Sequence, residues 1–126
     1  MALAAQAAGI YSLEAAVRLL IGHRRWLERG DFLAACVLVD LAPGGAVTAA
    51  FIDWPALIEA VDAGDLPCSG SERRVLLVAL SLAEGVPVDL REALCGLDRA
   101  ALVLVAECVA HAGGYRGAVL AAGVRS

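Results

Sequence analysis

Two stretches, Val75–Ala83 and Ala100–Ala106, run without a charged side chain, and Ser81 is the only polar residue in either. Rich in Ala, Leu and Val and lacking strict alternation, they read as helices that are hydrophobic on all sides. Such helices are buried, in a core or against another subunit. Upstream, Leu13, Val17, Leu20 and Leu27 space out the apolar face of a first long helix, which opens after Ser12 and runs through Glu28 to Gly30. Gly22 lies inside it and weakens it by about 1 kcal/mol unless close packing needs a missing side chain there.

Asp31 is placed to cap the element over Phe32–Asp40. From Phe32 to Ile52 two patterns compete. Val37, Val39, Val47, Thr48 and Ile52 are β-branched and Pro43-Gly44-Gly45 is a turn signal, so a short hairpin stands against two short helices. Helix is favoured for Phe32–Val39, and the second arm stays open.

Beyond Ile52 the punctuation is regular. Asp53 before Trp54-Pro55 is an N-cap followed by proline in the first turn, and this helix runs to Ala63 with Gly64 as its stop. Ser69-Gly70-Ser71-Glu72 has capping-box spacing and opens a helix to Glu84, ended by Gly85. Asp89-Leu90-Arg91-Glu92 opens a short helix to Cys95, and Asp98 caps another that runs to Ala112 before Gly113-Gly114. A short capped helix followed by a longer, more apolar one thus occurs twice, as in two packed αα-hairpins.

The pattern predicts an all-α fold, a compact bundle of about six short-to-medium helices, with a short hairpin around 37–52 as the variant. Residues 1–126 make a single helical domain, with 1–11 and 115–126 loosely ordered. Composition supports this: hydrophobic residues make up 60% and aromatics 5%, so the apolar excess is Ala, Leu and Val, of which Ala and Leu are strong helix formers.

The segments Ser69–Glu72, Leu80–Gly85, Val86-Pro87-Val88-Asp89-Leu90, Leu97-Asp98 and Ala110-His111-Ala112-Gly113 resemble a pattern in small uncharacterised helical proteins of GC-rich bacteria. The resemblance covers about half the chain, its motifs are capping signals, and it implies no function. All ten basic residues are Arg, in keeping with such a coding bias.

A net charge of −4 gives no overall field to attract nucleic acid or anionic lipid. Mean hydropathy is +0.75, yet the longest charge-free runs, Met1–Leu13 and Leu41–Ile52, fall short of the roughly 18–20 residues of a spanning helix. No positive residue precedes the Ala-rich start, so a signal peptide is disfavoured. The expectation is a cytoplasmic protein outside the membrane, with Cys36, Cys68, Cys95 and Cys108 as reduced core thiols.

Candidate chemistry is thin. His23 is flanked by arginines that keep it neutral, with no ligand partner at suitable spacing. Glu107, Cys108 and His111 share one helix turn, but zinc needs three or four ligands and no Cys-x-x-Cys or second histidine pair exists. His111 is therefore read as a capping histidine near a helix C-terminus. Cys68 stands before a helix N-terminus, where the dipole favours a thiolate, but a turn residue packed under its loop accounts for it. Glu59 and Asp62, followed by Asp65, read as a solvated acidic edge, and Asp89 with Glu92 as dipole-favouring residues. Ser69–Arg74 offers helix amides and two arginines to a phosphate, with Glu72 competing for the same amides.

No catalytic residue, metal ligand or cofactor is assigned. Short surrounding helices are too few to cover both charge-free helices, so the leading expectation is a non-enzymatic, homo-oligomeric protein-interaction module, with Leu77, Leu80, Leu102 and Val105 as interface candidates. The alternative is a nucleic-acid-binding regulator in which Arg18, Arg24, Arg25 and Arg29, on the first helix, track phosphates. Glu14 before Arg18 and Glu28 after Arg24 pair with that stripe and weaken it, so nucleic acid is disfavoured. A helix-turn-helix drawn through Asp89–Ala112 would present Leu102, Val103, Leu104 and Val105 to base edges, which apolar side chains cannot read by hydrogen bonding.

Overall fold

A computed structural model describes residues 10–115 of the chain. The described residues form α1 (Tyr11–His23), a 3-10 turn (Trp26–Glu28), α2 (Gly30–Cys36), β1 (Val37–Leu41), β2 (Val47–Ile52), α3 (Trp54–Ala63), α4 (Gly70–Glu84), α5 (Leu90–Cys95) and α6 (Arg99–Ala112). The expected loose order at 1–11 and 115–126 falls outside this range, apart from Ile10, Tyr11 and Tyr115.

The capping signals hold in the second half. The Asp53 carboxylate accepts from the Ala56 amide at 3.1 Å, and Gly64 ends α3 in the left-handed region. Ser69 and Glu72 close a capping box, the Ser69 hydroxyl taking the Glu72 amide at 3.2 Å and the Glu72 carboxylate the Ser69 amide at 3.0 Å. Asp89 and Asp98 cap α5 and α6 through the Glu92 and Ala101 amides.

The core is built around α4. Val75, Leu76, Val78, Ala79 and Leu80 are all buried, and α1 lies across both α4 and α6. Ala15 and Ala16, wholly buried, keep α1 close to its neighbours, with Leu19 and Leu20 filling the space between. Gly22 serves the same approach: a Cβ there would stand 2.8 Å from Leu104 of α6.

Two expectations need correction. The first helix does not run from Ser12 to Glu28. It begins at Tyr11 after Ile10, which makes no side-chain cap, and stops at His23, where Arg24 takes a φ of 72°. Gly30 opens α2 rather than closing α1. The reason lies in the core: Trp26 and Phe32 are fully buried with ring centroids 5.6 Å apart, and the Trp26 indole N–H donates to the Glu72 carbonyl at 2.9 Å. Turning Trp26 inward outweighs continuing the helix.

The fold is also mostly helical rather than all-α. Helix α2 ends at Cys36, not Val39, and the chain goes into an antiparallel hairpin that pairs Val37 with Ile52, Leu38 with Phe51 and Val39 with Ala50. The β-branched residues and the Pro43-Gly44-Gly45 turn prevail here. Gly44 and Gly45 adopt φ of 102° and 90°, open to glycine at little steric cost. Among the described residues, no helix is long and apolar enough to cross a membrane.

Candidate interaction surface

The four interface candidates divide. Leu80 and Val105 are 2% and 1% exposed within this chain, and α1, packed on both of their helices, helps to fill the core they face. The expectation that the local helices leave these two positions uncovered underestimated α1, whose alanines allow it to approach closely. Leu77 is half-buried, and Leu102 is exposed. With Val103 and Val109, Leu102 forms an outer apolar face on α6.

The larger apolar surface was missed. Leu38, Val39, Leu41, Val47 and Phe51 are all exposed, Leu41 to 60% and Leu38 to 56%. All five belong to the hairpin, which joins the helical body mainly at its base, where β1 follows α2 and Ala50 and Ile52 turn inward. β1 is the more open strand: Val37 is half-buried and the other four residues are exposed. The alternation of β-branched and apolar positions over 37–52 was the available signal. A helical reading of Phe32–Val39 gave those residues a different periodicity and hid the surface.

The proposed arginine stripe does not form. Arg18 lies on α1, Arg24 at the left-handed break, Arg25 in the following link and Arg29 just before α2. Arg24 stands 4.0 Å from Glu28 in an exposed pair. Arg29 grips Asp31 through Nε and Nη2, donates from Nη1 to the Pro67 carbonyl at 2.7 Å and lies 4.7 Å from the Trp26 ring centre. Its guanidinium holds the Asp31 carboxyl below its usual range. Arg29 thus ties the start of α2 to the α3–α4 loop.

Arg18 belongs to a cluster that joins α1 to α6. His111, 8% exposed, has Nδ1 at 3.1 Å from Arg18 Nη1 and Nε2 at 2.6 Å from Glu14 Oε1. An arginine only donates and a carboxylate accepts, so Nε2 carries the proton given to Glu14 while Nδ1 accepts from Arg18. This replaces the expected capping role of His111. Tyr11 sets its ring edge-on to His111 at 5.9 Å. Glu107 is exposed, and Cys108, one turn before His111, is buried with its thiol pushed up to about 11 by desolvation. Among the described residues, no group of three or more His, Cys, Asp or Glu is placed to hold a metal ion.

The remaining candidates have structural roles. Burial pushes the Cys68 thiol up, outweighing Arg29 and Arg73, so its place before α4 does not activate it. Cys36 and Cys108 are buried, Cys68 half-buried and Cys95 exposed; all four are free, and Cys95 therefore departs from the expected core position. Glu59, Asp62 and Asp65 are exposed. The Ser69 and Glu72 amides are engaged by the capping box and the Arg73 amide by the Ser69 carbonyl, and Arg74 turns to α5, donating from Nε to the Glu92 carbonyl at 3.0 Å. A cleft of about 300 Å³ between α4 and α5 is lined by Arg73 and Arg74 but also by Asp89 and Glu92, a mixed wall with no preference for an anion. His23 has its pKa lowered, first by burial and then by Arg25.

No family model matches the chain, and neither a curated protein nor a solved structure matches it.

Proposed function

We propose that the protein is a non-enzymatic protein–protein interaction module of the cytoplasm, and that its simplest assembly is a homo-oligomer. One observation carries this reading: five large apolar side chains, Leu38, Val39, Leu41, Val47 and Phe51, stand in solvent on one short hairpin. Large apolar side chains are what folding normally removes from water, and so many exposed on one hairpin mark a contact site. The outer face of α6, with Leu102, Val103 and Val109, supplies a second such patch. The nucleic-acid reading draws no comparable support, since Arg18, Arg24 and Arg29 are each engaged within the chain and share no helix face. Sedimentation velocity at micromolar concentration tests the proposal. A species larger than one chain is expected, and a monomer across the concentration range overturns the homo-oligomeric reading.

A further inference from the structure

We infer that β1 is a homotypic pairing edge: two copies join β1 to β1 in antiparallel fashion, centred on Val39, to make one four-stranded sheet. This rests on the interaction-module reading and names the partner, a second copy, and the register.

The direction of the backbone groups on β1 can be read from three hydrogen bonds. The Asp53 amide donates to the Cys36 carbonyl at 2.8 Å, the Thr48 hydroxyl to the Asp40 carbonyl at 3.1 Å, and the Ala42 amide to the Ala46 carbonyl at 2.7 Å. Residues 36, 40 and 42 therefore direct their polar groups across to β2. By the alternation of an antiparallel ladder, Val37, Val39 and Leu41 direct theirs outward. The one irregularity, where Leu41 pairs with Val47 past Thr48, puts the extra residue on β2 and leaves the outer edge of β1 regular.

This edge is complementary to itself. A two-fold axis at Val39 sets Val39 against Val39 and Val37 against Leu41 of the other copy, so the same three outward residues, which have no neighbouring strand among the described residues, exchange amide and carbonyl bonds with their equivalents. Asp40, the only charge on the hairpin strands, then faces Leu38 of the other copy rather than the second Asp40. A one-step shift would break the facing of the side chains, and a two-step shift centred on Asp40 would set the carboxylates opposite each other. On the inner face Ala50, Val39 and their equivalents form a continuous apolar row. A two-stranded hairpin is marginal in water, whereas four strands with an apolar face are self-supporting. β1 carries none of the Lys or Pro that commonly blunt an edge.

Val39→Pro tests this, because it removes only an outward N–H and leaves the β1–β2 ladder intact. If wild type sediments as a dimer, Val39→Pro should raise its dissociation constant at least about tenfold, the loss of two interstrand bonds across the axis. Should that variant fail to fold, Val39→Cys in a Cys95→Ser background should form an intermolecular disulfide on mild oxidation, since directly paired residues lie about 5.5 Å apart between Cα atoms. Leu38→Cys in the same background should not. A dimer that Val39→Pro leaves unweakened, or cross-linking at Leu38 in place of Val39, overturns the β1 edge while the interaction-module reading stands. A monomeric wild type overturns the β1 edge together with the homo-oligomeric reading.

Discussion

His111 and Glu14, 97 positions apart, meet at 2.6 Å and fasten α6 to α1 at the edge of the core. Their neighbour Arg18 completes a chain in which each polar group has a donor or acceptor to meet. The carboxylate and ring are both largely removed from water, so deleting one strands the other. His111→Ala should destabilise the fold by about 2 kcal/mol, the scale of a lost hydrogen bond to a charged group. Urea unfolding checks this, and Glu14→Gln, which keeps an acceptor, should cost less.

Trp26 holds the 3-10 turn against α4 through its bond to the Glu72 carbonyl and carries Arg29 on its ring. Trp26→Phe keeps most of the apolar volume and removes the indole N–H. A loss of about 1–2 kcal/mol is expected by chemical denaturation, while Trp26→Ala should cost about 3–5 kcal/mol. Equal losses for the two would show that the indole N–H, not the buried ring, is what matters.

Arg74 lies directly over Gly96, leaving no room for a Cβ there, and its guanidinium reaches the carbonyl of Glu92 in the first turn of α5. Gly96 has φ −108°, so space rather than backbone conformation requires glycine. Gly96→Ala should displace Arg74, and the two substitutions Gly96→Ala and Arg74→Ala should be non-additive in a double-mutant cycle. Full additivity would show that they act independently.

His23 should give the fold an acid-sensitive component. Its pKa lies below the usual 6.5 because burial, and then Arg25, disfavour the charged ring. The unfolded chain therefore takes up this proton first as pH falls. Stability from this group is complete above about pH 6.5 and declines as pH drops from there toward the folded value. The urea midpoint should fall between about pH 7.5 and 5.5, and His23→Gln should flatten that slope. An unchanged slope would exclude His23 as its source.

The four thiols should differ in reactivity. Cys95 is exposed and should react with an aromatic disulfide reagent in the native state, while Cys36 and Cys108 are buried. Cys108, pushed up to about 11, should react only after unfolding. Stoichiometric labelling of Cys108 under native conditions would show that α6 opens far more readily than its packing implies.

Much of the second half was legible because its signals are local. Asp53, Ser69, Asp89 and Asp98 each satisfy an amide within three residues of themselves, so the cap and the helix it begins are written in one short segment. Gly64 and Gly85 stop helices for an equally local reason, a left-handed backbone that a side chain strains. The first half depends on distant partners. The break at Arg24 follows from the bond between Trp26 and Glu72, 46 positions away, and no periodicity around Arg24 records it.

The same division applies to the surface. The sequence by itself determined that the apolar fraction is high for a small domain and that the Val75–Ala83 run is buried, in a core or against another chain. Tertiary structure decided which apolar residues meet water. Leu80 and Val105 are buried within the chain, while Leu38, Val39 and Leu41 came out on a strand. The physical reason is that hydrophobicity belongs to a residue, but exposure depends on what packs above it. Ala15 and Ala16 let α1 pack closely into the helical core, and two glycines at positive φ closed the turn of the hairpin that carries the exposed residues.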